Sequence, residues 1–498
     1  MDISFMHIIE LMAAHAHVVL FGVAVGMLVG ATPGLTSSNS TAIMLPFILT
    51  LDPTTGTIFV VSLHAGAQMG NSFPAILLNI PGTPSSAVTT LEGYPLAREG
   101  KASLALGVCV LSSALGGLLG GCVSILSVPV LSAVALKFSP VELTIIILFG
   151  LVIIGQISKG GIWKGLLSGL FGLMAATCGP DPMWGVYRGD FGIIMLYDGI
   201  PIVSCLVGLL AFSEMFKLLI EKDKQAEVLS QKISFGLIFQ GFKEVLKRPV
   251  ETLRSALIGL VVGAIPGAGG SIAAPIAYQQ SITFSSPEEK KRFGKGSING
   301  LMSADVSNNA CVGGALIPLL TLALPGSSTD AILLVALSFH GLVLGPEFLT
   351  MNGDMAYAVL FSQFTAAFCI AFVGVLLAWV AGRIINVSMA VLIPIISVLA
   401  FIGGFAETQM TFGIWIMLIS GLLGYFMKKY QYVPLAFLLG LVLGSKFETN
   451  LFCGLRMGHN SFSIFFEGPI ALTLWALLFA TIAFPALYKL YRNWRTNN

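Results

Sequence analysis

The sequence predicts an all-α polytopic membrane protein: two inverted-topology repeats with re-entrant hairpins and Pro-Gly-broken helices around a midplane site, about 10–14 membrane segments in all. Three observations point there. Only 10% of the 498 residues are charged and 56% are hydrophobic, where a soluble domain carries about 25% charge. Several apolar stretches run to about 20 residues without alternating, which suits helices and excludes an outer-membrane barrel. Two Gly/Pro motifs of the first half return in the second at nearly constant displacement.

Other classes are excluded on similarly direct grounds. With 26 basic and 24 acidic residues the chain offers no basic face, so no nucleic acid partner is expected. Cys109, Cys122, Cys178, Cys205, Cys311, Cys369 and Cys453 include no CxxC and mostly sit in apolar runs, so they read as small buried residues. There is no G-x-x-x-x-G-K-[ST], no H-E-x-x-H, and neither the G-x-S-G nor the G-x-G-D of intramembrane proteases. No enzyme activity and no cofactor are expected.

The N-terminus MDISFMHIIELMAAHAHVV carries Asp2 and Glu10 and no basic n-region, so a cleaved signal peptide is not expected. Residues 13–97 and 254–346 are apolar but interrupted by Pro-Gly and by Ser, Thr and Asn, and read as re-entrant hairpins and interrupted helices. Continuous spans at 101–136, 140–158, 164–178 and 200–217, then at 356–382, 387–405, 409–427, 432–445 and 467–487, read as transmembrane helices. Between the halves, residues 217–254 carry Lys217, Lys222, Lys224, Lys232, Lys243, Lys247, Arg248 and Arg254 and are expected to be cytoplasmic. The expected division is residues 1–216 as membrane repeat 1, 217–253 as a cytoplasmic linker, and 254–498 as membrane repeat 2 with an extra C-terminal helix.

GMLVGATPG from Gly26 returns as GLVVGAIPG from Gly259, displaced by 233. GNSFPAILLNIPG from Gly70 returns as GALIPLLTLALPG from Gly314, displaced by 244, with Pro74 matching Pro318 and Pro81-Gly82 matching Pro325-Gly326. The difference falls in the polar loop 285–297, where insertion is tolerated. Loop charge orients the repeats oppositely. Residues 50–55 lack bases while Arg98 and Lys101 follow the second motif; in the other repeat Lys290, Lys291, Arg292 and Lys295 lie between the motifs and residues 345–354 lack them. Lys159, Lys164, Arg383, Lys428, Lys429, Lys489, Arg492 and Arg495 then all fit the cytoplasmic side, with the C-terminus inside and the N-terminus outside.

A Pro-Gly break ends one half-helix and lets another begin with free N–H groups, which together with the macrodipole suit an anion. The candidate substrate-binding residues follow: Pro33, Gly34, Thr36, Ser37, Ser38 and Asn39; Pro81, Gly82, Thr83 and Ser85; Pro266, Gly267, Gly269 and Ser271; Pro325, Gly326, Ser327, Ser328 and Thr329. Ser and Thr after Pro-Gly are also ordinary N-caps, but recurrence at four matched breaks favours one shared site for a small anion. Gly22, Gly26, Gly30, Gly259 and Gly263 read as a helix-packing face. His64, Gln68 and Asn71 share one helical face, as do Asp305, Asn308 and Asn309; they are cation-coupling candidates, with Na⁺ near Ser40 and Asn308 or with His64 and Asp305 as proton-relay groups. Glu142 and Glu407 read as interfacial.

The strings GMLVGATPGLTSSNSTAIMLP, GNSFPAILLNIPGTPSSAVTTLEGYPLAREGKASLALG, GLVVGAIPGAGGSIAAP and NNACVGGALIPLLTLALPGSSTDAILL resemble the large membrane subunit of the tripartite tricarboxylate transporter family. The resemblance covers nearly the whole chain. It implies a bacterial inner-membrane secondary carrier for citrate or another carboxylate, driven by Na⁺ or H⁺. It also implies a small membrane subunit of about four helices and a periplasmic solute-binding protein as partners, within the membrane lipid. Similar sequences often carry glycine in both hairpins, whereas this chain has Thr36 opposite Gly269. By analogy with other inverted-repeat carriers, the broken helices would move against a frame of long ones. An uncoupled anion channel, or an exporter without a binding protein, is the alternative.

Overall fold

The computed structural model describes residues 5–32, 35–156, 161–220, 233–384, 389–480 and 482, and these are mainly helical. Pro33, Gly34, Lys159, Lys222, Lys224, Lys232, Lys489, Arg492 and Arg495 lie outside the described residues.

The broken segments are built by local capping chemistry. After the first break, Ser37–Ile48 restarts on Thr36, which has an extended backbone and whose Oγ1 accepts the Asn39 amide at 3.1 Å. Pro53–Gly70 starts on Asp52, which accepts the Thr55 amide at 3.0 Å, with Pro53 already holding a helical φ. The next helix, Ser72–Leu78, and its counterpart Ile298–Leu322 both end on a left-handed residue, Asn79 and Ala323, each at φ +58°. The following amides, of Ile80 and Leu324, reach back to the Pro74 and Pro318 carbonyls at 3.2 Å in each case. These residue pairs are all displaced by 244, so the repeat in sequence is also a repeat of backbone geometry. Ala323 bears a Cβ in this conformation at a cost of about 1–2 kcal/mol.

The predicted packing glycines sit where backbones touch. A Cβ on Gly26 or Gly30 would collide with the Leu63 or Ala67 carbonyl, and one on Gly259 or Gly263 with the Ser307 or Cys311 carbonyl. Elements of the two halves also pack on each other: Ala102–Ala135 lies along Ile298–Leu322, and Pro434–Met457 along Ile162–Ala176.

Among the described residues, four helices are long and apolar enough to cross a membrane: Ala102–Ala135, Gly353–Val380, Thr411–Lys429 and Pro434–Met457. A fifth span is formed if Met6–Ala14 and Ala16–Gly30, bent by 57°, count together. Several expected spans are shorter apolar helices, such as Pro140–Gly155 and Ile162–Ala176. The span expected at 200–217 is a composite of Ile202–Val207, a π-helical turn Gly208–Phe212 and Ser213–Ile220. The described part of the C-terminal helix runs from Pro469 to Ala480.

The linker is less simple than its charge suggests. It contains the helix Phe235–Leu246, whose Ile238, Gly241 and Val245 are buried at helical spacing against Ala102–Ala135, while Phe235 stacks on Trp379 at 5.5 Å. The helix that follows begins at Pro249, because proline is at home in a first turn, so it takes in the last linker residues. Glu407 accepts the Val203 and Ser204 amides at 3.1 and 2.8 Å, and Glu142 the Ser139 amide at 2.8 Å, so each acid sits at a helix start. A two-stranded hairpin pairs Gly179–Pro180 with Tyr187–Arg188, and Arg188 is anchored by two bonds to Glu448 at 2.7 and 2.8 Å.

Candidate functional site

All four restart points meet. Thr36 to Asn39, Thr83 to Ser85, Gly267 with Gly269 to Ser271, and Gly326 to Thr329 line one cavity of about 390 Å³, within the range of small-ligand sites, about 300–1,000 Å³. The first and last restarts touch directly, with Ser38 Oγ 3.1 Å from Thr329 Oγ1. His64 and Gln68 line the same space from Pro53–Gly70. Gln68 links the halves: its Oε1 accepts Ser37 Oγ at 2.6 Å and its Nε2 donates to Asn308 Oδ1 at 2.9 Å.

The restarts after Gly82 and Gly326 are closed in matched ways. Thr83 and Ser86 close one turn, the Thr83 amide donating to Ser86 Oγ at 2.9 Å. Their counterparts Ser327 and Asp330 form a reciprocal box: the Asp330 amide donates to Ser327 Oγ at 3.2 Å, and that hydroxyl donates to Asp330 Oδ2 at 2.6 Å. The two hairpins differ at Thr36 and Gly269 for a backbone reason. Thr36 has φ −87°, open to any residue, whereas Gly269 has φ +54°, which favours glycine. Each first-turn N–H of these helices lacks an intrahelical acceptor, so the lining offers neutral donors and aligned dipoles.

The remaining candidates lie elsewhere. Pro81, Gly82, Pro266 and Pro325 shape the breaks without lining the cavity. Asn71 donates to the Ala67 carbonyl at 2.7 Å, and Ser40 turns its hydroxyl onto the Thr36 carbonyl at 2.9 Å. Asp305 joins a separate buried cluster, accepting Ser72 Oγ at 2.7 Å, and Asn309 donates to the Asp305 carbonyl at 3.0 Å. Asn308 does not line the cavity itself but stands behind it, accepting from Gln68 and lying against Gly270.

Three residues here carry chemistry that the sequence did not assign to them. Asp330 is fully buried, with Oδ1 unpartnered among the described residues and His64 Nδ1 at 3.9 Å. Its one signal was the S-x-x-D spacing from Ser327. Lys428, which reads as a loop base, and Glu214 also line the cavity, and no local pattern foretells either.

The tripartite tricarboxylate transporter TctA family matches residues 17–439. An Agrobacterium vitis protein, described as an uncharacterized 52.8 kDa protein in the TAR-I ttuC' 3' region, is 31% identical over 471 residues, 94% of this chain and 92% of that protein. A second A. vitis protein, from the TAR-II ttuC' 3' region, is 26% identical over 219 residues, 44% of this chain and 90% of its own length. No solved structure matches the chain.

Proposed function

Since the chain belongs to the tripartite tricarboxylate transporter TctA family, we propose that it is the permease for uptake of a small di- or tricarboxylate across the bacterial inner membrane. Uptake is driven by co-transported Na⁺ or H⁺, with a small membrane subunit and a periplasmic solute-binding protein as partners. The observation that carries this reading is the meeting of four helix starts, two from each half, around one cavity. Neutral amide and hydroxyl donors stabilise a carboxylate without the cost of a buried fixed charge. Opposite topology of the two repeats would then let the same site face either side in turn, with the C-terminus cytoplasmic.

The test is uptake of labelled citrate, tartrate and succinate into cells expressing the chain with its two partners. Sodium is replaced by potassium in one arm and an uncoupler is added in another. Loss without sodium identifies a sodium symporter, and loss only with uncoupler identifies proton coupling. Uptake that follows the carboxylate gradient in both arms would refute coupling and indicate a channel.

A further inference from the structure

The cavity holds one charged pair with no part in the half-helix scheme. Lys428 Nζ donates to Glu214 Oε2 at 2.9 Å and to Ser213 Oγ at 2.8 Å, and both charged residues line the cavity. Lys428 is the sole lysine or arginine among the described lining residues. It stands in the last turn of Thr411–Lys429, where the carbonyl end of the helix favours a cation. Glu214 follows the π-helical turn Gly208–Phe212. Leu210 within that turn and Glu214 just after it both line the cavity. Closeness of the two helices is enforced at Gly208, where a Cβ would collide with the Ser420 side chain and the Met417 carbonyl.

The pair is unevenly placed. The Lys428 side chain keeps 31% of its surface accessible and the Glu214 side chain 11%, so of the two cavity-lining charges Lys428 is the more accessible. Dipoles and hydroxyls of the four restarts suffice for one carboxylate, but a second carboxylate on the same ligand needs a partner of its own. The ammonium already holds a carboxylate, so exchanging Glu214 for a ligand carboxylate keeps it paired throughout.

Resting on the proposed carboxylate reading, we propose that Lys428 is a specificity-determining contact for the second carboxylate of a di- or tricarboxylate, and that Glu214 holds its place in the empty cavity. Monocarboxylates then bind through the helix starts alone and leave the Lys428–Glu214 pair intact.

The test is equilibrium binding of succinate, tartrate, citrate and lactate to the purified full chain with its small membrane subunit, without the solute-binding protein. Lys428→Met is expected to weaken the di- and tricarboxylates by about tenfold or more and lactate by less than about threefold. Lys428→Arg should stay near wild type, and Glu214→Gln should tighten the di- and tricarboxylates. Equal weakening of lactate and succinate in Lys428→Met, or an unchanged ratio, would overturn the assignment alone. If Lys428→Met does not accumulate, Glu214→Gln decides: an unaltered succinate-to-lactate ratio overturns it. Wild type that binds none of the four acids would overturn the carboxylate reading and this assignment with it.

Discussion

His64 Nδ1 stands 3.9 Å from Asp330 Oδ1, joining a helix of the first half to a helix start of the second. Both side chains are buried, and that carboxylate oxygen has no hydrogen-bond partner among the described residues. At the displacement of 244, His64 corresponds to Asn308 and Asp330 to Ser86. The mirrored relationship therefore carries only neutral groups. An ionisable pair present once, beside the cavity, is where a coupling cation would be felt.

Asp330→Asn is expected to keep the helix start and lose the cation response, with sodium or proton dependence of uptake weakened about tenfold or more. Asp330→Ala should in addition cost about 1 kcal/mol through the lost reciprocal cap. Asp305→Asn, in its separate cluster with Ser72, should cost about 1–3 kcal/mol of stability and leave the cation titration alone. Sodium and pH titrations of uptake both unaltered in Asp330→Asn would remove this residue from coupling.

Leucine at Gly82 or Gly326 should abolish uptake while the protein still reaches the membrane. The reason is packing behind the site: a Cβ on Gly82 would collide with the Asn71 side chain, and one on Gly326 would stand 2.6 Å from the Ala315 Cβ. Alanine at either place is expected to cost about 1–3 kcal/mol by overpacking. Uptake assays normalised to membrane abundance read the result, and retained transport in either leucine variant would sink the role given to the breaks.

Glu92 ties the halves together. It is fully buried and accepts the amides of Gly294, Gly296 and Ser297 at 2.7–2.8 Å and the Tyr278 hydroxyl at 2.7 Å. Glu92→Ala removes the acceptor of four donors, the buried Ser297 amide among them, and should destabilise the protein by about 1–3 kcal/mol. Glu92→Gln should do so less. Thermal unfolding in detergent measures both, and a melting temperature within error of wild type for the alanine variant would refute the anchoring role.

The hairpin at residues 179–188 should loosen in acid. Burial pushes the Asp181 carboxyl up, but the Met183 and Trp184 amides and the Arg188 guanidinium together outweigh it and hold it below the usual 3.8. A depressed value means that the stabilisation is present above pH 3.8 and is lost as pH falls through the folded value. Trp184 packs edge-on against Phe452 at 5.0 Å, so its fluorescence, isolated by difference from Trp184→Phe, reports the opening. Arg188→Ala should move the transition to higher pH; a transition at the same pH would exclude the guanidinium from it.

Several features were legible from sequence because their causes are local. Pro-Gly at 81–82 and 325–326 must break a helix, and the S-T-N runs after each break must cap the next one. The displacement of 244 carried through to matching left-handed ends at Asn79 and Ala323, since backbone geometry follows from the same few residues. Gly26 and Gly259 could be read as packing positions because close helix approach leaves room for no side chain. The helix within the linker was hidden because its buried Ile238, Gly241 and Val245 are interleaved with Lys243 and Glu244, and charge dominates a coarse reading.

The chain's own order of residues thus determined the helical membrane class, the places where helices stop and restart, and the correspondence between the halves. Only the tertiary structure decided that the four restarts share one cavity, that Asp330 rather than Asp305 stands beside it, and that Lys428 reaches it with Glu214 as partner. The physical reason is range. Capping and breaking are settled within a turn of helix, whereas the meeting of Lys428 with Glu214, 214 residues apart, depends on how packed helices cross.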